Sequence, residues 1–218
     1  MPRASGSSLH AWFRRSLGKG GVAQANAAAA VAQAVVGRHE PGMPGVVSGH
    51  FTYGVHELLE GRPYRYVVLL RDPVQRVLSL FRYIRSLPTH DLHAELTRPD
   101  MTIARFYADK VPGSGPRNAM VAQLAGVLGT RVTLGQEHLE QATAHLFDDR
   151  TLFGLAEHPA SLLQRLAEIL SVQIAPELPQ VNRLGNAQAW GGSPEDIAAI
   201  SANNQLDIEL YRRATRSG

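Results

Sequence analysis

Between Tyr64 and Ile84 the apolar positions change their period. Val67, Val68, Leu69 and Leu70 form a continuous apolar run, as in a parallel strand covered on both faces. From Val74 onward the apolar residues fall at helical spacing, at Val77, Leu78, Phe81 and Ile84, which predicts a helix with one buried face. Arg71-Asp72-Pro73 lies between the two. Asp72 suits a helix N-cap, and Pro73 suits the first helical position, where an N–H has no partner anyway. Strand, turn and helix together place Arg71 at the carboxyl end of a strand, where open α/β sheets bind ligands.

The rest of the chain supplies further elements. Leu9, Trp12, Phe13 and Leu17 predict a helix entered from a small, polar stretch at Pro2 to Ser8 and stopped by Gly18. The alanine-rich stretch through Ala34 reads as helix on propensity, and Arg38 to Gly45 as loop. Val46-Val47 begin a short strand with His50 at its end, and His56-Glu57 begin a helix. Residues 85–117 are polar and punctuated by proline, with a short helix over Thr102 to Tyr107. His138 to Phe147 is an amphipathic helix with Leu139, Ala142 and Leu146 on one face. Leu152 to Leu155 is a strand, followed by an amphipathic helix over Ser161 to Leu170. Ser193-Pro-Glu-Asp caps the last helix, with acidic residues against its positive end. The expectation is one α/β domain spanning residues 1–218.

Composition narrows the classes. The chain is 44% hydrophobic and 19% charged, which fits a globular protein and not a disordered one. A net charge of +3 and a pI near 9.5 suit an anionic ligand, but the basic residues are spread out, with no run that would track nucleic acid. The absence of cysteine excludes disulfides, thiolate metal sites and a thiol nucleophile. Lys19 and Lys110 are the only lysines, so phosphate gripping falls mostly to arginine. No segment has the length of a transmembrane helix, and the N-terminus lacks the apolar core of a signal peptide, so a cytoplasmic protein without membrane contact is expected.

Arg71 and Ser79, about two helical turns apart, combine a forked cation with a hydroxyl, both suited to phosphate oxygens. Residue types alone fit a salt-bridged arginine and a solvated helix serine better. At the N-terminus, backbone N–H groups at a helix start attract phosphate, and small residues let an anion come close. The Gly-x-x-x-x-Gly-Lys spacing of a Walker A loop is absent. His56-Glu57 fails the zinc pattern His-Glu-x-x-His, because Glu60 stands where the second histidine belongs. His90, Asp91 and His93 lack a fourth ligand and a helical frame, so no metal is expected.

The wider string Arg-Asp-Pro-Val-x-Arg-x-x-Ser-x-Phe-x-Tyr, from Arg71 to Tyr83, resembles the 3′-phosphate-binding motif of sulfotransferases that use 3′-phosphoadenosine 5′-phosphosulfate (PAPS). Other segments are similar to that family in the family's order. Pro2 to Leu9 resembles its 5′-phosphosulfate loop, with Arg3 in the lysine place, Gly6 as the glycine, and Ser7 and Ser8 as the hydroxyl pair. Gly-His-Phe-x-Tyr-Gly, from Gly49, resembles the segment carrying the histidine base in relatives of uronyl 2-O-sulfotransferases. Gly154 to Glu157, Leu178 to Asn182 and the closing helix at Asp207 to Tyr211 match further family patterns.

The resemblance implies a fold, a site and a reaction. The fold is α/β, a three-layer P-loop-like arrangement with a central parallel sheet flanked by helices. The family has an apolar strand directly before the phosphosulfate loop, and this sequence opens at the loop, so either the start is truncated or misassigned or the sheet lacks that strand. Arg71 and Ser79 would hold the 3′-phosphate. Arg3, Ser5, Gly6, Ser7 and Ser8 would hold the 5′-phosphosulfate, and Asn182 and Arg183 would close over the nucleotide. His50 and Arg3 are the implied catalytic residues, His50 as general base. PAPS would be the co-substrate, adenosine 3′,5′-bisphosphate the product, and a hydroxyl-bearing carbohydrate or small molecule the acceptor, with residues 85–117 as a wall of its site. Two alternatives stay open: a nucleotide-binding protein of this type without transfer, and a P-loop-related kinase.

Overall fold

The computed structural model describes residues 6–18, 20–25, 31, 45–59, 61–112, 116–127, 132–172, 178–179 and 192–217. In chain order the elements are α1 (Gly6–Leu17), β1 (Val22–Gln24), β2 (Val46–Ser48), a 3-10 turn (Val55–Leu59), β3 (Tyr66–Leu70) and α2 (Pro73–Ser86). There follow α3 (His93–Leu96), α4 (Ile103–Ala108), α5 (Ala119–Leu124), α6 (Gln136–Leu146), β4 (Thr151–Leu155), α7 (Ala160–Leu170), α8 (Pro194–Asn203) and α9 (Gln205–Arg216).

The protein is α/β, but among the described residues its strands form two parallel pairs and not one central sheet. β1 pairs with β2, Val22 opposite Val46. β3 pairs with β4, Tyr66 opposite Thr151 and Leu70 opposite Leu155. β1 was not expected. Val22-Ala-Gln opens an alanine-rich stretch whose propensity favours helix, and pairing with β2 overrides that preference, as tertiary context does for short segments.

Helices cover both faces of the β3–β4 pair, and alternation along β3 shows why its apolar run is unbroken. Val68 and Leu70 join a core with Met120, Val121 and Leu124 of α5, Leu139, Ala142 and Leu146 of α6, and Leu210 and Ala214 of α9. Leu69 turns the other way, into a core with Leu9, Trp12 and Phe13 of α1, Val22 of β1, Leu152 of β4 and Leu162, Leu163 and Leu166 of α7. A Cβ at Gly154 would lie 2.7 Å from that of Leu162, so glycine lets α7 seat closely on β4. A third core contains no strand: Val77, Leu78, Phe81 and Ile84 of α2 pack against Ile103 and Phe106 of α4 and Ile200 of α8.

Candidate functional site

At the carboxyl end of β3 the chain turns as its residues dictate. Asp72 caps α2, its Oδ1 accepting the Gln75 amide at 2.8 Å, and Pro73 takes the first helical position. Arg71, half-buried, stands between strand and cap. Burial pushes its guanidinium below the ordinary arginine value, and Arg82 and Arg76 act in the same direction, while the carboxylates of Glu157 and Asp72 oppose them. Glu157, just beyond β4, accepts the backbone N–H of Asp72 at 3.0 Å through one oxygen and the Tyr211 hydroxyl at 2.9 Å through the other. The end of β4, the start of α2 and the middle of α9 are therefore held by one carboxylate. Burial, with the Glu157 carboxylate beside it, pushes the Tyr211 phenol up. Ser79 lies half-buried on α2.

Behind this surface α2 is anchored by a buried polar knot. Arg76 and Asp207 are both fully enclosed and meet at 3.4 Å. The Asp207 carboxylate accepts the amides of Met120 and Val121, at 3.1 and 2.8 Å, and so caps α5. In return the Asn118 Oδ1, just ahead of α5, accepts the amides of Leu206 and Asp207, at 3.1 and 3.2 Å, and caps α9. Each helix start thus receives its cap from the other's segment. The Asn204 Oδ1 accepts the Asn118 amide at 2.9 Å, and its Nδ2 donates to the Tyr107 hydroxyl at 3.2 Å. Burial pushes the Asp207 carboxyl up, against the pull of Arg76 and the amides.

The other sequence-derived residues are distributed as follows. His50 is an exposed residue two positions beyond the carboxyl end of β2. The chain around it displaces water, which holds its imidazole below the ordinary value. Its loop is tied to α5, since Gln123 Nε2 donates to the Phe51 carbonyl at 2.6 Å and the Tyr53 amide donates to the Gln123 carbonyl at 2.8 Å. Gly6, Ser7 and Ser8 do not precede the first helix: they form its first turn. Ser7 is exposed, whereas Ser8 is 9% exposed, on the buried side with Leu9 and Trp12. Arg3, Ser5, Asn182 and Arg183 lie outside the described residues. Arg71 and His50 thus both follow strand ends, but they belong to different strand pairs.

The histidines of the 85–117 stretch have local work. The His90 Nδ1 accepts the Leu92 amide at 3.1 Å, and the His93 Nδ1 lies 3.0 Å from the Ile84 carbonyl. Among the described residues no group of His, Asp and Glu is placed to hold a metal ion, and no helix is long and apolar enough to cross a membrane. Sequence reasoning matched Glu157 and Asp207 to patterns but gave neither a partner. Both act across more than 80 residues of chain, on groups that no local spacing links to them.

No family model matches the chain, and no curated protein is significantly similar to it.

Proposed function

We propose that this protein is a PAPS-dependent sulfotransferase, transferring a sulfuryl group to the hydroxyl of a carbohydrate or small-molecule acceptor. The observation that carries the reading is the setting of Arg71: a half-buried guanidinium at the carboxyl end of a parallel strand, beside a capped helix bearing Ser79, with Arg82 and Arg76 adding positive potential. This is where an α/β protein receives an anionic ligand, and the motif that builds it is the one that resembles the family's 3′-phosphate site. On this reading the two parallel strand pairs belong to a three-layer P-loop-like fold.

The chemistry is an in-line displacement. The acceptor oxygen forms a bond to sulfur as the bond from sulfur to the bridging phosphate oxygen breaks, and adenosine 3′,5′-bisphosphate leaves. The protein must align these atoms and stabilise negative charge growing on the bridging oxygen. Arg3, Ser5, the amides at Gly6 to Ser8 and the Ser7 hydroxyl serve the phosphosulfate. Arg71 and Ser79 take the 3′-phosphate, which ATP lacks, and Asn182 and Arg183 cover the nucleotide. His50 accepts the acceptor's proton; its depressed basicity keeps it neutral, and so able to do this, at neutral pH. No metal is needed for these steps. On this reading the reaction takes place in the cytoplasm.

The burial of Ser8 favours a second reading, nucleotide binding without transfer. Calorimetric titration with adenosine 3′,5′-bisphosphate, with 5′-AMP as control, tests the shared premise: tight binding of the first and weak binding of the second is expected, and equal affinities overturn the site. Transfer from radiolabelled PAPS to an acceptor panel, lost in His50→Ala, then separates catalysis from binding alone.

A further inference from the structure

A cleft of about 520 Å³ opens at the end of the β3–β4 pair opposite Arg71, between the segment 52–58 and α6. Its size falls within the roughly 300–1,000 Å³ typical of small-molecule sites. β3, at roughly 3.3 Å per residue, puts about 13 Å between this end and the Arg71 end. The cleft is thus a separate place from the anion site.

Its wall is rigid. The His145 ring stacks on Tyr53 at 3.7 Å with planes 7° apart, and the other face of Tyr53 stacks on Tyr66 at 4.5 Å. The Tyr66 hydroxyl accepts the amides of Gly54 and His56, which fills its lone pairs and aims its proton at the His56 Nδ1, 2.8 Å away. Gly126, at φ +76°, ends α5 against the Tyr53 carbonyl, only 3.2 Å from where a Cβ would stand. The His145 Nδ1 lies 2.7 Å from the Leu124 carbonyl, which can only accept, so Nδ1 carries the proton and Nε2 is left with an open lone pair.

The lining reads as ligand chemistry. Thr52, Glu57 and Gln141 line the cleft, and none of their side chains makes a hydrogen bond among the described residues. With His145 Nε2 they offer hydroxyl, amide and acceptor groups suited to a ring of hydroxyls. Leu58, 44% exposed, gives an apolar surface for the C–H face of such a ring. Among the described residues of the lining Glu57 is the only carboxylate and there is no Lys or Arg, so it favours a cation over carboxylates and phosphates.

We propose that this cleft binds a hydroxylated amine of amino-sugar size, its ammonium on Glu57 and its hydroxyls on Gln141, Thr52 and His145. The binding does not depend on the nucleotide reading, because the two sites lie at opposite ends of the strands.

Saturation-transfer NMR and calorimetry of the full chain with D-glucosamine, methyl β-D-glucopyranoside and D-glucuronate test it. Glucosamine is expected to bind, the neutral glucoside more weakly, and glucuronate not at all. Glu57→Gln should weaken glucosamine at least fivefold and leave the glucoside unchanged, and Gln141→Ala should weaken both. Glu57 and Gln141 are exposed, and an unaltered circular dichroism spectrum confirms that the variants fold. Absence of glucosamine binding, equal affinity for glucuronate, or an unchanged glucosamine affinity in Glu57→Gln would each overturn the proposal.

Discussion

Glu157 accepts the amide proton of Asp72 at 3.0 Å, across 85 residues of chain, and so fixes the helix cap that follows Arg71. The same carboxylate is the largest attractive charge on Arg71. It plays two parts that substitution can separate. Glu157→Gln keeps an oxygen for the amide but removes the larger of the two carboxylate charges that act on Arg71, leaving Asp72 as the smaller one. Adenosine 3′,5′-bisphosphate should then bind several-fold more tightly by calorimetry. Glu157→Ala also loses the hydrogen bonds, at about 1 kcal/mol of stability in urea. Weaker binding in Glu157→Gln would mean that the charge orients Arg71 more than it competes with the ligand.

Arg71→Ala should weaken adenosine 3′,5′-bisphosphate at least tenfold, since charged hydrogen bonds of this kind contribute roughly 1.5–3 kcal/mol each. 5′-AMP should be almost unaffected. Unchanged bisphosphate affinity would remove Arg71 from the site.

The depressed basicity of His50 sets a pH dependence. A base must be unprotonated, and a lowered pKa keeps it so to lower pH. Sulfuryl transfer should therefore hold its rate as pH falls through 6.5, the ordinary imidazole value, and decline only below it. His50→Ala should cost about 10²–10⁴-fold and abolish that acid limb. An acid limb that persists in His50→Ala would exclude His50 as the group that titrates.

Removing one member of a buried ion pair strands the other. Arg76→Ala should destabilise the protein by about 3–5 kcal/mol in urea. It also sharpens a pH effect. Burial already raises the Asp207 carboxyl, and without Arg76 it rises further. The folded state then holds a proton that the unfolded state has released, so the stability of the variant falls as pH rises through the carboxyl range. The deficit against the parent should be smaller at pH 4 than at pH 7. An equal deficit at both would show that Asp207 stays ionised without Arg76.

Asn118 sits in the left-handed region, at φ +42°, while its side chain caps α9. Asn118→Ala loses the cap and adds backbone strain, for a total of about 2–3 kcal/mol. Asn118→Gly loses only the cap and should cost less. The ordering Ala worse than Gly, read from urea midpoints, checks that strain and cap both matter.

The local half of this structure was legible in the chain. The run Val67 to Leu70, the Asp72-Pro73 cap and the spacing of Val77, Phe81 and Ile84 specify β3 and α2 directly, because period and capping are local signals. The cap at Ser193 is equally plain, and its box with Asp196 is formed. β1 was not legible, because three residues carry too little pattern to outvote their alanine-rich surroundings. The division of the strands into two pairs was not legible either, since pairing is a long-range choice. In the site, sequence singled out Arg71 and His50 but not the Glu157 bridge or the Tyr53–His145 column, whose members come from distant segments and meet only in the folded chain. The N-terminal serines read as loop in the sequence, whereas the structure makes Gly6 to Ser8 the first turn of α1.

The exchanged caps of α5 and α9 bear on how the chain assembles. α5 has six residues, too few to hold a helix by itself in water, and the acceptor for its first amides arrives with Asp207. α9 likewise waits for Asn118. During synthesis, α5 must stay provisional until α9 has left the ribosome. The two helices are therefore finished by each other, and both should appear together, in one concerted step.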